Sequence, residues 1–153
     1  MWTKTRSLFL SRILTVTAGV MAVIMAFFIP AVSAWYRDVT VSAGLFGRSA
    51  IFVPMCVTLY VCDVLAIAAL VNLHILLGNI NRDKVFVPEN TACLRRISWA
   101  CMLAGFVLMI FGLWSFVFLM GGVLAVMFGL IMRVLKNVFE KAVEIKSEND
   151  FTI

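Results

Sequence analysis

Charge is missing where a soluble protein would need it. From Ile97 to Met132 the chain has no Asp, Glu, Lys or Arg, and over all 153 residues only 14% are charged. A soluble domain is nearer a quarter charged and half apolar. Histidine occurs once, as His74, and proline three times. The four cysteines, Cys56, Cys62, Cys93 and Cys101, show no Cys-x-x-Cys spacing. That pattern excludes a zinc ribbon or a thioredoxin-like redox motif, and His74 is not placed to complete a metal site. The cysteines read as small apolar residues in a reducing setting. The sequence has no glycine-rich phosphate loop, no nucleophile–base pair and no paired catalytic carboxylates. No enzymatic activity and no cofactor are therefore expected.

What the chain has instead is apolar surface. It is 63% hydrophobic with a mean hydropathy of +1.06, and a chain this short has too little interior to bury so much. Lipid is the remaining solvent. Four long apolar stretches are separated by charged segments, and the sidedness of those charges is the clearest signal. Lys4, Arg6 and Arg12 precede the first stretch. Arg37 and Arg48 follow it. Arg82, Lys84, Arg95 and Arg96 separate the second from the third, and Arg133, Lys136, Lys141 and Lys146 follow the fourth. Four crossings place eleven of the thirteen Lys and Arg residues on one face. Cytoplasmic loops carry the excess of basic residues, so the expected fold is all-α and polytopic, with four transmembrane helices and both termini cytoplasmic. The net charge of +5 reads as anchoring to anionic headgroups rather than as a nucleic-acid footprint.

The expected spans cover about 12–35, 50–77, 97–114 and 116–135. The first ends in Trp35-Tyr36, an interfacial anchor, with Pro30 at most bending its last turn. Its basic start and the Ala31-Val32-Ser33-Ala34 stretch imitate a secretory signal, but the apolar run is full length for a span, and the span is expected to be retained. The outer loop, 37–49, is too short to fold alone. Span two is longer than a crossing requires and is expected to tilt or protrude. In the polar segment 78–96, Pro88 followed by Glu89 reads as a helix start. The charge-free run 97–132 would be about 54 Å long as one helix, well beyond the bilayer core, so it must turn back on itself. Trp114-Ser115 is the preferred turn and Gly121-Gly122 the alternative. After Met132 the pattern becomes amphipathic: Val134, Leu135, Val138, Phe139, Ala142 and Val143 recur at helical spacing among charges. The fourth helix is thus expected to continue into the cytoplasm to about Lys146, in a tail spanning 133–153.

Asp63 is the one acidic residue at depth in a span. An ionised carboxylate there costs at least about 2.5–3.5 kcal/mol, and no Lys or Arg lies at depth to pair with it. It is expected to be protonated, or to face polar groups such as Thr58, Tyr60 or Ser115, either as a proton or cation site or as a hydrogen-bonding acid that fixes packing. His74, eleven residues on, falls on the same side of the helix, about 16 Å away along the axis. Gly105 and Gly112, with Ala100 and Ala104, can form a small-residue face on span three, which suits close packing within the chain or a homo-oligomer. The last residues, Phe151-Thr152-Ile153, place apolar side chains beside a free carboxylate, a pattern that can add as a strand to a carboxylate-capturing partner.

Two segments carry a resemblance. Val85-Phe86-Val87-Pro88-Glu89-Asn90 followed by Leu94-Arg95-Arg96-Ile97, and Val138 to Ala142 followed by Glu148-Asn149-Asp150-Phe151-Thr152-Ile153, resemble a bacterial family of small four-helix membrane proteins, DUF2975. Members carry an apolar segment ending in Asn before Leu-Arg, and close on a Glu-Asn-Asp-Leu-Thr-Ile-like sequence in which Phe151 here replaces leucine. The resemblance extends along the chain in span layout, and Asp63 is not part of it. It implies residence in a bacterial plasma membrane and no established activity. It also implies, by the family's association with small helix-turn-helix DNA-binding proteins, a membrane partner for a cytoplasmic regulator, without direct nucleic-acid binding by this chain. The residues expected to form that partner surface are Phe86, Pro88, Asn90, Leu94, Arg95, Phe139, Glu148, Asn149, Asp150, Phe151, Thr152 and Ile153. The competing expectation is a small transporter or channel subunit that uses Asp63.

Overall fold

The computed structural model describes residues 4–39, 51–113 and 115–150. They form four helices: α1 (Lys4–Val39), α2 (Phe52–Asn81), α3 (Pro88–Phe111) and α4 (Phe116–Asp150). Each is long and apolar enough to cross a membrane. Residues 1–3, 40–50 (most of the outer loop), Trp114 and the final Phe151-Thr152-Ile153 lie outside the described residues.

Helices are the form such a sequence must take in lipid, since every backbone amide is satisfied within its own segment. At 1.5 Å per residue, α1 with its 36 residues is about 54 Å long and α4 with 35 about 52 Å. Both exceed a hydrocarbon core of about 30 Å. Pro30 lies inside α1, and the helix continues past it to Val39. The chain reverses between Phe111 and Phe116, where α3 is capped by the Gly112 N–H on the Leu108 carbonyl at 2.8 Å and the Leu113 N–H on the Ile110 carbonyl at 3.3 Å. Gly121 and Gly122 lie within α4.

Helices that follow one another in sequence pack together, α1 on α2, α2 on α3 and α3 on α4, and the last pair has the largest interface. Two clusters fix the alternation of direction. At one end Ile51, Met55 and Phe111 are buried against Tyr36, Leu59 and Phe118. Phe118 lies edge-to-face on Phe111 at 4.8 Å and on Tyr36 at 5.8 Å. This end therefore gathers the C-terminal ends of α1 and α3 and the N-terminal ends of α2 and α4. At the other end Leu76, Cys93 and Leu94 are buried against Leu73, Ile80, Met132 and Phe139, which joins the end of α2, the start of α3 and the second half of α4. The 82–87 loop lies here, and this is called the loop end.

Between the clusters the α3–α4 pair is held by close backbone approach. A Cβ placed on Gly105 would sit 2.7 Å from the carbonyl oxygen of Gly122 and 2.9 Å from the backbone nitrogen of Val126. One on Gly129 would meet Met102 and the carbonyl of Ser98. The Ser98 hydroxyl donates to the Gly129 carbonyl at 2.7 Å. Small residues admit this geometry because dispersion and polar contacts, rather than water exclusion, bind helices in lipid. Most other large apolar side chains face outward, among them Phe27, Val117 and Phe116. A soluble monomer does not expose so much contiguous apolar surface.

Candidate functional site

The loop end is built from the turn upward. α2 closes in a Schellman arrangement: the Lys84 N–H reaches the Asn79 carbonyl at 3.0 Å and the Asp83 N–H the Ile80 carbonyl at 3.1 Å. The geometry needs a left-handed residue at its corner, and Asp83 takes it with φ of 56°. Aspartate is among the non-glycine residues that tolerate this region. Four residues later Val87 is extended (φ −132°, ψ 147°), as a residue before proline must be. Pro88 opens α3 with Glu89 in its first turn. The helix start read from Pro88-Glu89 is thus where α3 begins. The polar segment 78–96 is divided between the end of α2, a short loop and the first turns of α3.

Asn90 ties the two helix ends together. Its amide nitrogen donates to the carbonyls of Lys84 and Val85, each at 2.8 Å. Its side-chain oxygen accepts from the Asn79 amide at 2.8 Å. Asn90 is fully buried, and Leu94 is 4% exposed. Asn90 thus holds the loop from within, and Leu94 is buried in the cluster with Leu76 and Cys93. Phe86, Pro88 and Arg95 are exposed. Phe86 faces Phe139 of α4 with ring centroids 6.0 Å apart, so the loop and the second half of α4 form one continuous surface.

Beyond Phe139, α4 continues as a solvated helix. Lys136 pairs with Glu140 and Lys141 with Glu144, the i,i+4 and i,i+3 spacings that support an isolated helix. The Ser147 hydroxyl donates to the Glu144 carbonyl at 2.7 Å. Glu148 and Asn149 are exposed, and Asp150 is the last described helical residue.

Asp63 lies elsewhere. It lines an apolar groove of about 350 Å³ between α1 and α2, with Ala22, Met25, Ile29, Val32, Leu59, Cys62 and Ala66. Among the described residues it has no hydrogen-bond or ion-pair partner. It does not meet Thr58, Tyr60 or Ser115, because it is turned toward α1. Its neighbour Cys62 borders the same groove and also reaches α3, where the thiol donates to the Ala104 carbonyl at 3.8 Å. His74 lines the continuation of the groove, against Thr15 and Gly19, so it shares the α1-facing side of α2 with Asp63. Its Nδ1 is buried and unpartnered, as is the hydroxyl oxygen of Ser33 on α1.

Sequence reasoning did not find a polar pocket between α3 and α4, lined by Arg95, Ser98, Trp99, Arg133, Lys136 and Asn137. The guanidinium of Arg133 lies over the Trp99 ring, 5.4 Å from its centroid. The signal that could have found it was present: Arg95 and Trp99 are four apart on one helix, and Arg133, Lys136 and Asn137 fall within about one turn of another.

This architecture defines a polytopic, all-α membrane protein with four spanning helices. Residues 46–153 match the family described as protein of unknown function (DUF2975), and the chain belongs to that family. The matched region takes in α2, α3 and α4 and leaves α1 outside it. No curated protein and no solved structure matches the chain.

Proposed function

We propose that this protein is a non-enzymatic membrane partner for a cytoplasmic regulator, with the loop end as the holding surface. The carrying observation is the packing of Phe86 on Phe139, which joins the loop to a charged helix that continues about three more turns. In this reading the loop end faces the cytoplasm, since nearly all the basic residues belong to it, and the membrane is a bacterial plasma membrane. The partner class is a small helix-turn-helix protein, by analogy with the associations of the family. The exposed Pro88, Glu148 and Asn149 then contact the partner, while Asn90 and Leu94 hold the loop in place for it.

The test is affinity purification from native membranes, comparing the full chain with one ending at Lys146. A small DNA-binding protein should be recovered only with the full chain, at equal membrane insertion of both. Equal recovery from the two, or recovery of nothing but the protein itself, overturns the proposal.

A second reading, a transporter or channel subunit, is favoured by one arrangement: Asp63 and the unpartnered His74 Nδ1 share the α1-facing side of α2. Asp63→Asn in liposomes should then abolish proton or cation flux without loss of folded protein. Unaltered flux, or none in the unsubstituted protein, removes this reading.

A further inference from the structure

The polar pocket between α3 and α4 is unlike the rest of the membrane-facing surface. It has about 90 Å³ of open volume, suited to a phosphate-sized group and much smaller than the roughly 300–1,000 Å³ of a cofactor site. Three of its six lining residues are cations, Arg95, Arg133 and Lys136. One carboxylate opposes them: Glu140 pairs with Lys136, whose side chain is only 19% exposed. Among the described residues Arg95 and Arg133 have no acidic partner, so two cations are left uncompensated at the mouth of the pocket.

The cation–π contact of Arg133 with Trp99, 5.4 Å from the ring centroid, ties that cation to the pocket. A guanidinium presents a planar N–H fork that can meet two phosphate oxygens at once. The Asn137 amide supplies a neutral donor. The Ser98 hydroxyl is committed to the Gly129 carbonyl, so it shapes the floor rather than serving as a donor.

The surroundings indicate which kind of phosphate. Trp99, Leu103, Phe106 and Ile110 are spaced four, three and four residues apart, which aligns them on one face of α3, and all four are exposed. An apolar track thus leads from the pocket toward the opposite end of the bundle. A basic pocket between spanning helices with an acyl-length track below it fits a diacyl phospholipid better than a freely dissolved anion.

We propose that Arg95, Arg133, Lys136 and Asn137 form a binding site for the phosphodiester headgroup of an anionic glycerophospholipid, with an acyl chain lying along Leu103, Phe106 and Ile110. The site shares Arg95 with the residues expected at the partner surface, while Arg133, Lys136 and Asn137 lie outside them.

The experiment uses the full chain, delipidated in a neutral detergent, with binding read by native mass spectrometry and thermal stabilisation. Phosphatidylglycerol, phosphatidylcholine and inorganic phosphate are titrated separately. Phosphatidylglycerol should bind at least tenfold more tightly than phosphatidylcholine, and inorganic phosphate should neither stabilise nor compete at millimolar concentration. Arg95→Gln/Arg133→Gln should lose most of that preference, whereas Arg82→Gln/Lys146→Gln, which removes the same charge elsewhere, should retain it. Arg133→Lys keeps the charge without the planar fork and should fall between. All variants are compared at equal unfolding temperature without lipid. A preference lost equally in both double variants makes the effect one of net charge and overturns the site. So does equal binding of the two lipids. Competition by inorganic phosphate reassigns the pocket to a dissolved anion and overturns the lipid proposal.

Discussion

Asn90 uses both amide donors and its oxygen inside the protein, on Lys84, Val85 and Asn79. Asn90→Ala therefore strands two loop carbonyls and one amide donor at a fully buried position. Each such group costs about 1–3 kcal/mol when left unsatisfied. Thermal unfolding in detergent should show a loss of at least that size. Asn90→Asp should also destabilise, because a carboxylate would face two carbonyls with no proton to offer. An unchanged midpoint in both would mean that the network does not hold the loop. The residue was legible in the sequence as part of a motif, but its orientation was not. Its partner Asn79 lies eleven residues earlier, across a turn whose geometry depends on Asp83 taking a left-handed conformation. The start of α3 was legible because proline and the residue before it leave the backbone few alternatives.

Among the elements, the α3–α4 pair has the least tolerance for added volume. Gly105→Leu would drive a side chain into the backbone of Gly122 and Val126. The helices would have to separate, and the protein should unfold at a markedly lower temperature or fail to accumulate. Ser98→Ala, which deletes the hydrogen bond to Gly129 and a long contact with the Met102 sulfur, should cost about 0.6 kcal/mol, the average for such bonds in membranes. Comparing the two midpoints separates packing from hydrogen bonding, and equal losses would show that the close approach is not what holds the pair. The α3 half of this interface could be read from the sequence, since Gly105 and Gly112 recur at a seven-residue spacing. The α4 half was harder to see, although Gly122 and Gly129 have the same spacing. A Gly-Gly pair at 121–122 also reads as a turn. An entirely apolar segment has no polar face to show which side turns inward. The same limit hid the direction of Asp63: its depth follows from position along the chain, but its facing α1 follows from how α2 is rotated.

Across the whole molecule, the number and kind of elements follow from hydropathy and charge, because lipid tolerates so few backbone forms. How the helices group does not follow from them. α3 and α4 meet along glycines, while α1 meets α2 across apolar grooves. The charge-free run from Ile97 to Met132 has a consequence for biogenesis. Carrying a charged side chain to the bilayer centre costs a few kcal/mol even by the mildest measures. A hairpin whose tip and both inner arms are uncharged bears no such cost at any depth. Such a hairpin can enter the bilayer without carrying a charge across it, since Arg95 and Arg96 flank it on one arm and Arg133 and Lys136 on the other. The glycines let the two helices meet closely, and the absence of charge lets both arms lie at any depth in lipid.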